Sequence, residues 1–155
     1  MINLEWVRHG AGAHELFAAS ADAKDGAEHA LITAYPVRLP DGTWSVMTIN
    51  KDPSNAHSVR LAFQDGRSEH ATFAGPITMV TFGTEQYVWH SEGPTSHADP
   101  NQEPVTSQIL AAAEVRFTLP KASITVLRGQ SLLSRIPGLN IRASTTDERG
   151  RAAMP

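Results

Sequence analysis

The sequence predicts an all-β protein, an antiparallel β-sandwich of about eight short strands followed by an irregular C-terminal tail. Short runs rich in β-branched and aromatic residues are separated by turn-forming residues. The 10 prolines and 11 glycines are spread along 155 residues, which favours many turns over long helices. A chain of this length forms one domain with a sizeable core.

The clearest predicted element is a β-hairpin. The runs ALITAYPVRL (30–39) and TWSVMTIN (43–50) flank Pro-Asp-Gly, and Asp-Gly between two β-rich runs is a strong hairpin signal. Pro36 inside the first run indicates an edge strand or a bulge. In HSVRLAF (57–63), every second residue is suited to the interior, as in a strand with one buried face.

The remaining strands are shorter or less regular. PITMVTFG (76–83) is apolar on both faces, as in a central strand. Further strands are predicted at 15–18, 86–90, 107–113, 115–120 and 123–128. Pro120 fits the entrance of the last strand, since proline cannot donate to a sheet hydrogen bond.

Three segments are expected. Residues 1–13 form a lead-in, residues 14–129 form the sandwich, and residues 130–155 form a flexible tail. The tail contains Ile-Pro-Gly, one Asp-Glu pair and scattered arginines, so we expect it to stay outside the core.

Composition excludes several function classes. A net charge of −3 and a sequence pI near 6.1 provide no basic field for nucleic acid. The absence of cysteine excludes disulfides and thiolate zinc sites. No stretch approaches the roughly 20 apolar residues of a membrane helix. MINLEWVRHG has no apolar core, so we expect no signal peptide, and localisation stays open because a longer parent could be secreted.

Candidate metal and catalytic residues are few. His90, His97 and Asp99 lie within ten residues, but in a loop of turn formers without ligand spacing, so solvated loop residues are expected and no metal or cofactor is predicted. Glu103 in NQEP resembles the acid/base carboxylate of retaining glycosidases. That chemistry needs a barrel of about 250 residues and a second carboxylate roughly 5 Å away. We therefore expect no catalytic residue.

Aromatic residues are the candidate carbohydrate-binding set. Tyr87 and Trp89 are two apart on a predicted strand, so both rings would project from one face. Exposed rings could stack on sugars, whereas buried rings would be core or interdomain packing, which we favour. Trp44 opens a strand and completes the set, although a core position is the more common one for it.

The sequence also resembles a known domain. The stretch from Ala30 to Phe63, the stretch GPITMVTFGTEQYVWHSEGPTSHADP and the stretch FTLPKASITVLRG resemble the C-terminal β-sandwich of clan A glycoside hydrolases, which include β-xylosidase-like and α-L-arabinofuranosidase-like enzymes. The hallmarks are a strand ending in Asn50-Lys51 and a final Leu-Pro-x-x-Ser at 119–123 before an apolar strand. The resemblance covers about residues 14–129.

The resemblance implies a non-catalytic role. In that family the catalytic carboxylates lie in a (β/α)₈ barrel N-terminal to the sandwich, and LEWV (4–7) would correspond to the residues leaving the barrel. The implied partner is a glycoside hydrolase barrel, in cis or in trans. Three functions stay open: an accessory domain that stabilises a barrel, a carbohydrate-binding module using the aromatic set, and an independent enzyme with an undetected site.

Overall fold

A computed structural model describes residues 12–64, 70–99, 102–111, 115–131 and 140–145. The described residues form thirteen strands and one short 3₁₀ helix, Gly93–Thr95. In chain order the strands are β1 Glu15–Leu16, β2 Ala19–Ala21, β3 Ile32–Arg38, β4 Trp44–Asn50, β5 His57–Gln64, β6 His70–Ala71, β7 Phe73–Phe82, β8 Trp89–His90, β9 His97–Ala98, β10 Val105–Leu110, β11 Phe117–Leu119, β12 Ser123–Ser131 and β13 Asn140–Thr145.

Two sheets form the sandwich, which confirms the all-β prediction. Sheet A has six strands in the order β1-β3-β4-β12-β7-β10, and sheet B has the order β11-β5-β13-β2, with β6 also paired to β5. Neighbouring strands are antiparallel except β13 and β2, which are parallel. Strands β8 and β9 form a separate two-stranded hairpin.

The β3–β4 hairpin forms as predicted from Asp-Gly. The Leu39 amide donates to the Thr43 carbonyl at 2.8 Å, closing a short loop in which Gly42 has a φ of 84°. Such a positive φ favours glycine because it has no Cβ. The Asp41 side chain accepts from the Thr43 amide at 2.8 Å. Pro36 lies on β3 next to the two-residue edge strand β1, where its carbonyl accepts from the Phe17 amide at 3.2 Å.

Aromatic side chains fill the space between the sheets. Trp44 of sheet A contacts Phe63 of sheet B with ring centroids 5.0 Å apart, and Phe63 contacts Phe73 at 5.2 Å. Phe17 at 4.8 Å from Trp44 and Phe117 at 6.3 Å from Phe73 extend the row. The row joins both sheets through tilted and edge-to-face contacts, which aromatic pairs prefer.

Gly129 allows β12 to approach this aromatic row closely. A Cβ at this position would lie 2.9 Å from Cδ1 of Phe73. The pairing of β12 with β7 shifts register between Arg128 and Gln130, which marks a bulge at the glycine. The Arg-Gly at the end of the apolar run is therefore inside the strand, which continues to Ser131.

Two sequence expectations are corrected. The strand predicted at 86–90 is reduced to Trp89–His90, because the amides of Gln86 and Tyr87 turn back to the Gly83 carbonyl, each at 3.0 Å. The tail expected outside the sandwich contributes β13, which pairs with β5 over Asn140–Thr145. The sequence around β13 has only a weak strand pattern. The strand forms because it pairs with β5 and β2, which are distant in sequence. Residues 1–11, 132–139 and 146–155 lie outside the described residues, and so does LEWV.

The described part of the chain contains no helix that is long and apolar enough to cross a membrane.

Truncation tests the position of β13. A chain ending at residue 131 would leave β5 and β2 without the strand that lies between them, so cooperative thermal unfolding should be lost. A chain ending at residue 145 keeps every described strand and should retain a cooperative transition. Differential scanning calorimetry measures both. A cooperative transition of the 131-residue chain at the full-length temperature would show that β13 adds nothing to the sandwich.

Candidate functional site

The two hallmark segments of the sequence meet at one corner of the sandwich. Asn50 ends β4, and its side-chain amide donates to the carbonyls of Leu119 and Pro120 at 3.2 and 2.8 Å. Ser123 Oγ donates to the same Pro120 carbonyl at 2.6 Å. The chain crosses from sheet B to sheet A between Leu119 and Ser123. These bonds therefore satisfy the backbone carbonyls at the crossing.

Asp52 anchors the adjoining turn. Its carboxylate accepts from the Ser54 amide at 2.8 Å, from the Asn55 amide at 2.9 Å and from the Asn55 side chain at 3.1 Å. His57 Nε2 lies 2.9 Å from Asp52 Oδ2. The Ser54 amide, followed by His57, lowers the pKa of Asp52 well below its ordinary value, since these bonds favour the charged carboxylate.

We call Asn50, Asp52, Asn55, His57, Pro120 and Ser123 the corner cluster. Its polar side chains form hydrogen bonds with one another and with the backbone. The Asn50 side chain also donates to the Asn55 carbonyl at 3.0 Å, and its oxygen accepts from the Asp52 amide at 3.0 Å. Such saturation suits a structural role. The sequence identified Asn50, Pro120 and Ser123, but it treated the turn containing Asp52 as an ordinary connection.

A cavity of about 500 Å³ opens beside the corner cluster. Sheet A contributes Met79, Thr81, Val105 and Ser107, and the loops contribute Ser54, Ala56, Gly83, Thr84, Glu85, Gln86, Pro120 and Lys121. The ionisable lining residues, Glu85 and Lys121, are both exposed. The lining thus offers apolar surface and a polar rim but no convergent set of ionisable groups.

The exposed aromatic residues follow Gln86 in the chain and are not among the residues that line this cavity. Tyr87 is 43% exposed and Trp89 is 55% exposed, so neither ring is in the core of this chain, and the interdomain packing favoured together with it stays a prediction. Tyr87 also precedes β8, so strand alternation does not place the two rings on one face. Trp44 is 1% exposed and belongs to the core, so it offers no ring face to a sugar.

The histidines form a small polar cluster on the β8–β9 hairpin. His90 Nε2 lies 2.7 Å from Asp99 Oδ1, and the rings of His90 and His97 stack with centroids 5.1 Å apart. His97 Nδ1 lies 3.0 Å from the Thr95 carbonyl. These contacts join the two strands and the connecting turn of the hairpin. Among the residues that the structure describes, no three histidine or carboxylate side chains are grouped to hold a metal ion.

Glu103, the carboxylate of NQEP, is exposed just before the edge strand β10, and Asn101 lies outside the described residues. It is not among the residues that line the cavity. Its position adds nothing to a catalytic assignment.

A second apolar surface lies on the side of sheet A that faces away from sheet B. Cross-strand pairing places Tyr35, Met47, Val126 and Val80 in one row. An adjacent row contains Ile49, Ile124 and Phe82. We call these seven side chains the outer face. None of them belongs to the core cluster or packs against it.

The outer face has a polar border. The next row across the sheet begins with the buried Val37 and continues with Ser45, Arg128, Thr78 and Gln108. Tyr35 is 43% exposed, and Met47, Ile49, Ile124 and Phe82 are half-buried, whereas Val126 and Val80, at 0% and 6% exposure, are already buried within this chain. The sequence signal was present, because β4 and β12 carry apolar residues at consecutive positions. Sequence analysis recognised this pattern only in β7.

The chain has distant structural similarity to solved proteins. No protein-family model matches the chain, and no curated protein matches it. A GH51 α-L-arabinofuranosidase from Thermotoga petrophila RKU-1 is similar over 66% of this chain, with 11% identity and a TM-score of 0.41. The matched region is 20% of that enzyme's chain, so this chain spans a small part of its length.

Substitution of Asn50 tests the corner cluster. Asn50→Ala should lower the free energy of unfolding by roughly 1–3 kcal/mol, because the Leu119 carbonyl loses its side-chain donor and the Pro120 carbonyl keeps only that of Ser123. Gln130→Ala is the control, since it removes an exposed side-chain bond to Thr43 and should change stability by less than about 0.5 kcal/mol. Urea unfolding measures both. Equal effects would contradict a special role for Asn50.

Asp52 should contribute to the pH dependence of stability. Its pKa is lower in the folded chain than the unfolded value of about 3.9, so the unfolded chain takes up the proton first as pH falls. The stabilisation is present above about pH 4 and is lost as pH falls further toward the folded pKa.

Asp52→Asn should therefore lower the free energy of unfolding at neutral pH by on the order of 1–3 kcal/mol, with a difference that narrows below about pH 4. Glu103→Gln, which alters an exposed carboxylate, should follow the parent profile. Urea titrations between neutral and acid pH provide the measurement. A constant difference down to acid pH would contradict the assignment.

Proposed function

We propose that this chain is a non-catalytic β-sandwich domain of a glycoside hydrolase, which packs its outer face against a catalytic (β/α)₈ barrel and stabilises it. The barrel can be in cis or in trans. The observation that carries the proposal is the outer face itself, seven apolar side chains in two adjacent rows on a sheet whose other side already forms the core. Contiguous apolar surface with a polar border is typical of interaction sites.

The pattern of the strands supports the same function. Antiparallel sheets that face water on one side alternate apolar and polar residues, whereas sheets covered on both faces carry apolar residues at consecutive positions. In β12 Val126 on the outer face and Leu127 on the core face are both buried within this chain, so the outer-face surface left for a partner is that of Tyr35, Met47, Ile49, Ile124 and Phe82. Hydrophobic side chains on both faces of β4, β12 and β7 fit a sheet that is covered on both sides in its working form.

The corner cluster supports the glycoside hydrolase assignment at the level of residues. The two segments on which the sequence resemblance rests, Asn50-Lys51 and Leu-Pro-x-x-Ser, bond directly to each other. Their joint occurrence in this sequence therefore has a physical reason. The resemblance is thus tied to a contact and not only to two separate short motifs.

A polysaccharide-binding function is the second candidate. The exposed rings of Tyr87 and Trp89 favour it, because flat aromatic faces suit sugar rings. Tyr87 directly follows Gln86, which lines a cavity of both polar and apolar residues. It ranks second because only two rings are involved and the hairpin provides no strand face that would hold them in one plane.

Association with a barrel tests the first candidate. The proposal expects that the DNA immediately upstream of the Met1 codon or, for a barrel in trans, a neighbouring gene encodes a (β/α)₈ hydrolase segment. Coexpression of that segment with this chain should give a one-to-one complex by size-exclusion chromatography with light scattering. Met47→Lys and Ile124→Lys should each weaken the complex at least about tenfold, because a charge would be buried in an apolar interface. Ser91→Lys, an exposed change of equal charge, should not.

Two outcomes would reject this function. One is the absence of such a segment both upstream and in the neighbouring genes, or its failure to form a complex with this chain. The other is a complex that tolerates both outer-face lysines while the variants keep the parent melting temperature. If soluble xylan or arabinan raised the melting temperature, and Trp89→Ala abolished that shift without unfolding the chain, the polysaccharide-binding function would replace it.

A further inference from the structure

We infer that β10 is a self-association edge, through which two copies of this chain pair antiparallel and join their six-stranded sheets. The inference is independent of the proposed function, because it concerns the backbone at the rim of sheet A and not the side chains of the outer face. Strand β10 is the last strand of sheet A and pairs with β7 alone among the described strands.

The ladder between β10 and β7 fixes which backbone groups point outward. Ala111 lies opposite Gly75 in the continued register, and the Ala111 amide donates to the Gly75 carbonyl at 2.8 Å. Bonded and non-bonded pairs alternate along an antiparallel ladder. Ser107 and Ile109 therefore direct their amides and carbonyls toward β7.

The intervening residues, Thr106, Gln108 and Leu110, direct theirs away from the sheet. All three side chains are exposed, and Leu110 is 76% exposed. Each offers one amide donor and one carbonyl acceptor in an extended conformation. This row is complementary to another β-strand, since strand addition uses such main-chain bonds.

The other described edges carry protection that β10 lacks. Strand β1 has two residues and includes Glu15, which pairs with Arg38 at 3.5 Å. Strands β2 and β11 have three residues each, and Asp22, Arg116 and Lys121 lie close to them in sequence. Short edges and nearby charges oppose edge-to-edge pairing. By contrast, β10 has six residues, VTSQIL, with no charge, proline or bulge within the strand, and Glu103 and Pro104 lie only at its entrance.

A second copy of this chain fits the edge by symmetry. With a two-fold axis at Gln108, Gln108 lies opposite itself and Thr106 lies opposite Leu110 of the other copy. All three outward pairs are then hydrogen-bonded pairs, and each exchanges both of its bonds. The exposed Leu110 would be covered by the partner's Thr106. Because the far edge of sheet A is short and charged, association stops at a closed dimer.

The full 155-residue chain is the sample for the test. Sedimentation velocity over a concentration series up to about 1 mM should show a reversible monomer–dimer equilibrium. Gln108→Lys and Gln108→Glu should each shift the dissociation constant upward by at least about tenfold, because like charges directly opposite each other on paired strands are destabilising. Ser91→Lys should dimerise like the parent.

Mixing the two charged variants makes the test specific. Gln108→Lys and Gln108→Glu should form a heterodimer, since the opposed charges then attract. Circular dichroism and the melting temperature establish that each variant is folded. Hydrogen exchange gives a second readout: the amides of Thr106, Gln108 and Leu110 should gain protection with concentration, whereas those of Ser107 and Ile109 should be protected at every concentration.

Three results would overturn the inference. The first is a parent chain that is monomeric throughout the series. The second is a dimer that tolerates Gln108→Lys. The third is a mixture of the two variants that stays monomeric, which would indicate that Gln108 does not face itself.

Discussion

The hydrogen bonds of Asn50 to the Leu119 and Pro120 carbonyls hold the point at which the chain passes between the two sheets. No ladder can extend across this corner, because β11 lies in sheet B and β12 in sheet A. Side-chain donors must therefore satisfy the carbonyls there, since unpaired buried carbonyls are costly. Asn50 does this from the end of β4, and the Ala122 amide completes the corner by donating to the Asp52 carbonyl at 2.8 Å.

The position of β12 follows from this corner. The strand starts at Ser123, directly opposite Asn50, and then runs between β4 and β7 through the middle of sheet A. Its core side contributes Leu127 and its other side contributes Val126 to the outer face. The same placement leaves β7 with β10 as its other neighbour, so β10 becomes the rim of the sheet.

Sheet A therefore presents two surfaces of different chemistry. The outer face offers apolar side chains perpendicular to the sheet, which suit a broad and dry interface. The rim at β10 offers backbone donors and acceptors in the plane of the sheet, which suit another strand. Because the two lie at right angles, a partner on one need not block the other. The exposed Tyr87 and Trp89 belong to neither surface.

The conformational preferences of neighbouring residues allowed part of this structure to be predicted from the sequence. Asp41-Gly42 specified the β3–β4 turn, since few residues adopt its backbone conformation, and the alternation from His57 to Phe63 specified the buried face of β5. Asn50 and Pro120 were recognised by resemblance, but only the folded chain brings them into contact, because 70 positions separate them.

Tertiary structure also decided what the tail and the aromatic residues do. Strand β13 pairs with β5 and β2, and the residues near β13 in the sequence do not indicate this pairing. Trp44 is buried whereas Trp89 is exposed, although both begin β-strands. The reason is that Trp44 lies in the six-stranded sheet opposite Phe63, while Trp89 lies in a hairpin that pairs only with β9. The local sequence determines the conformational preference of a residue, but its burial depends on which distant segments pack against it.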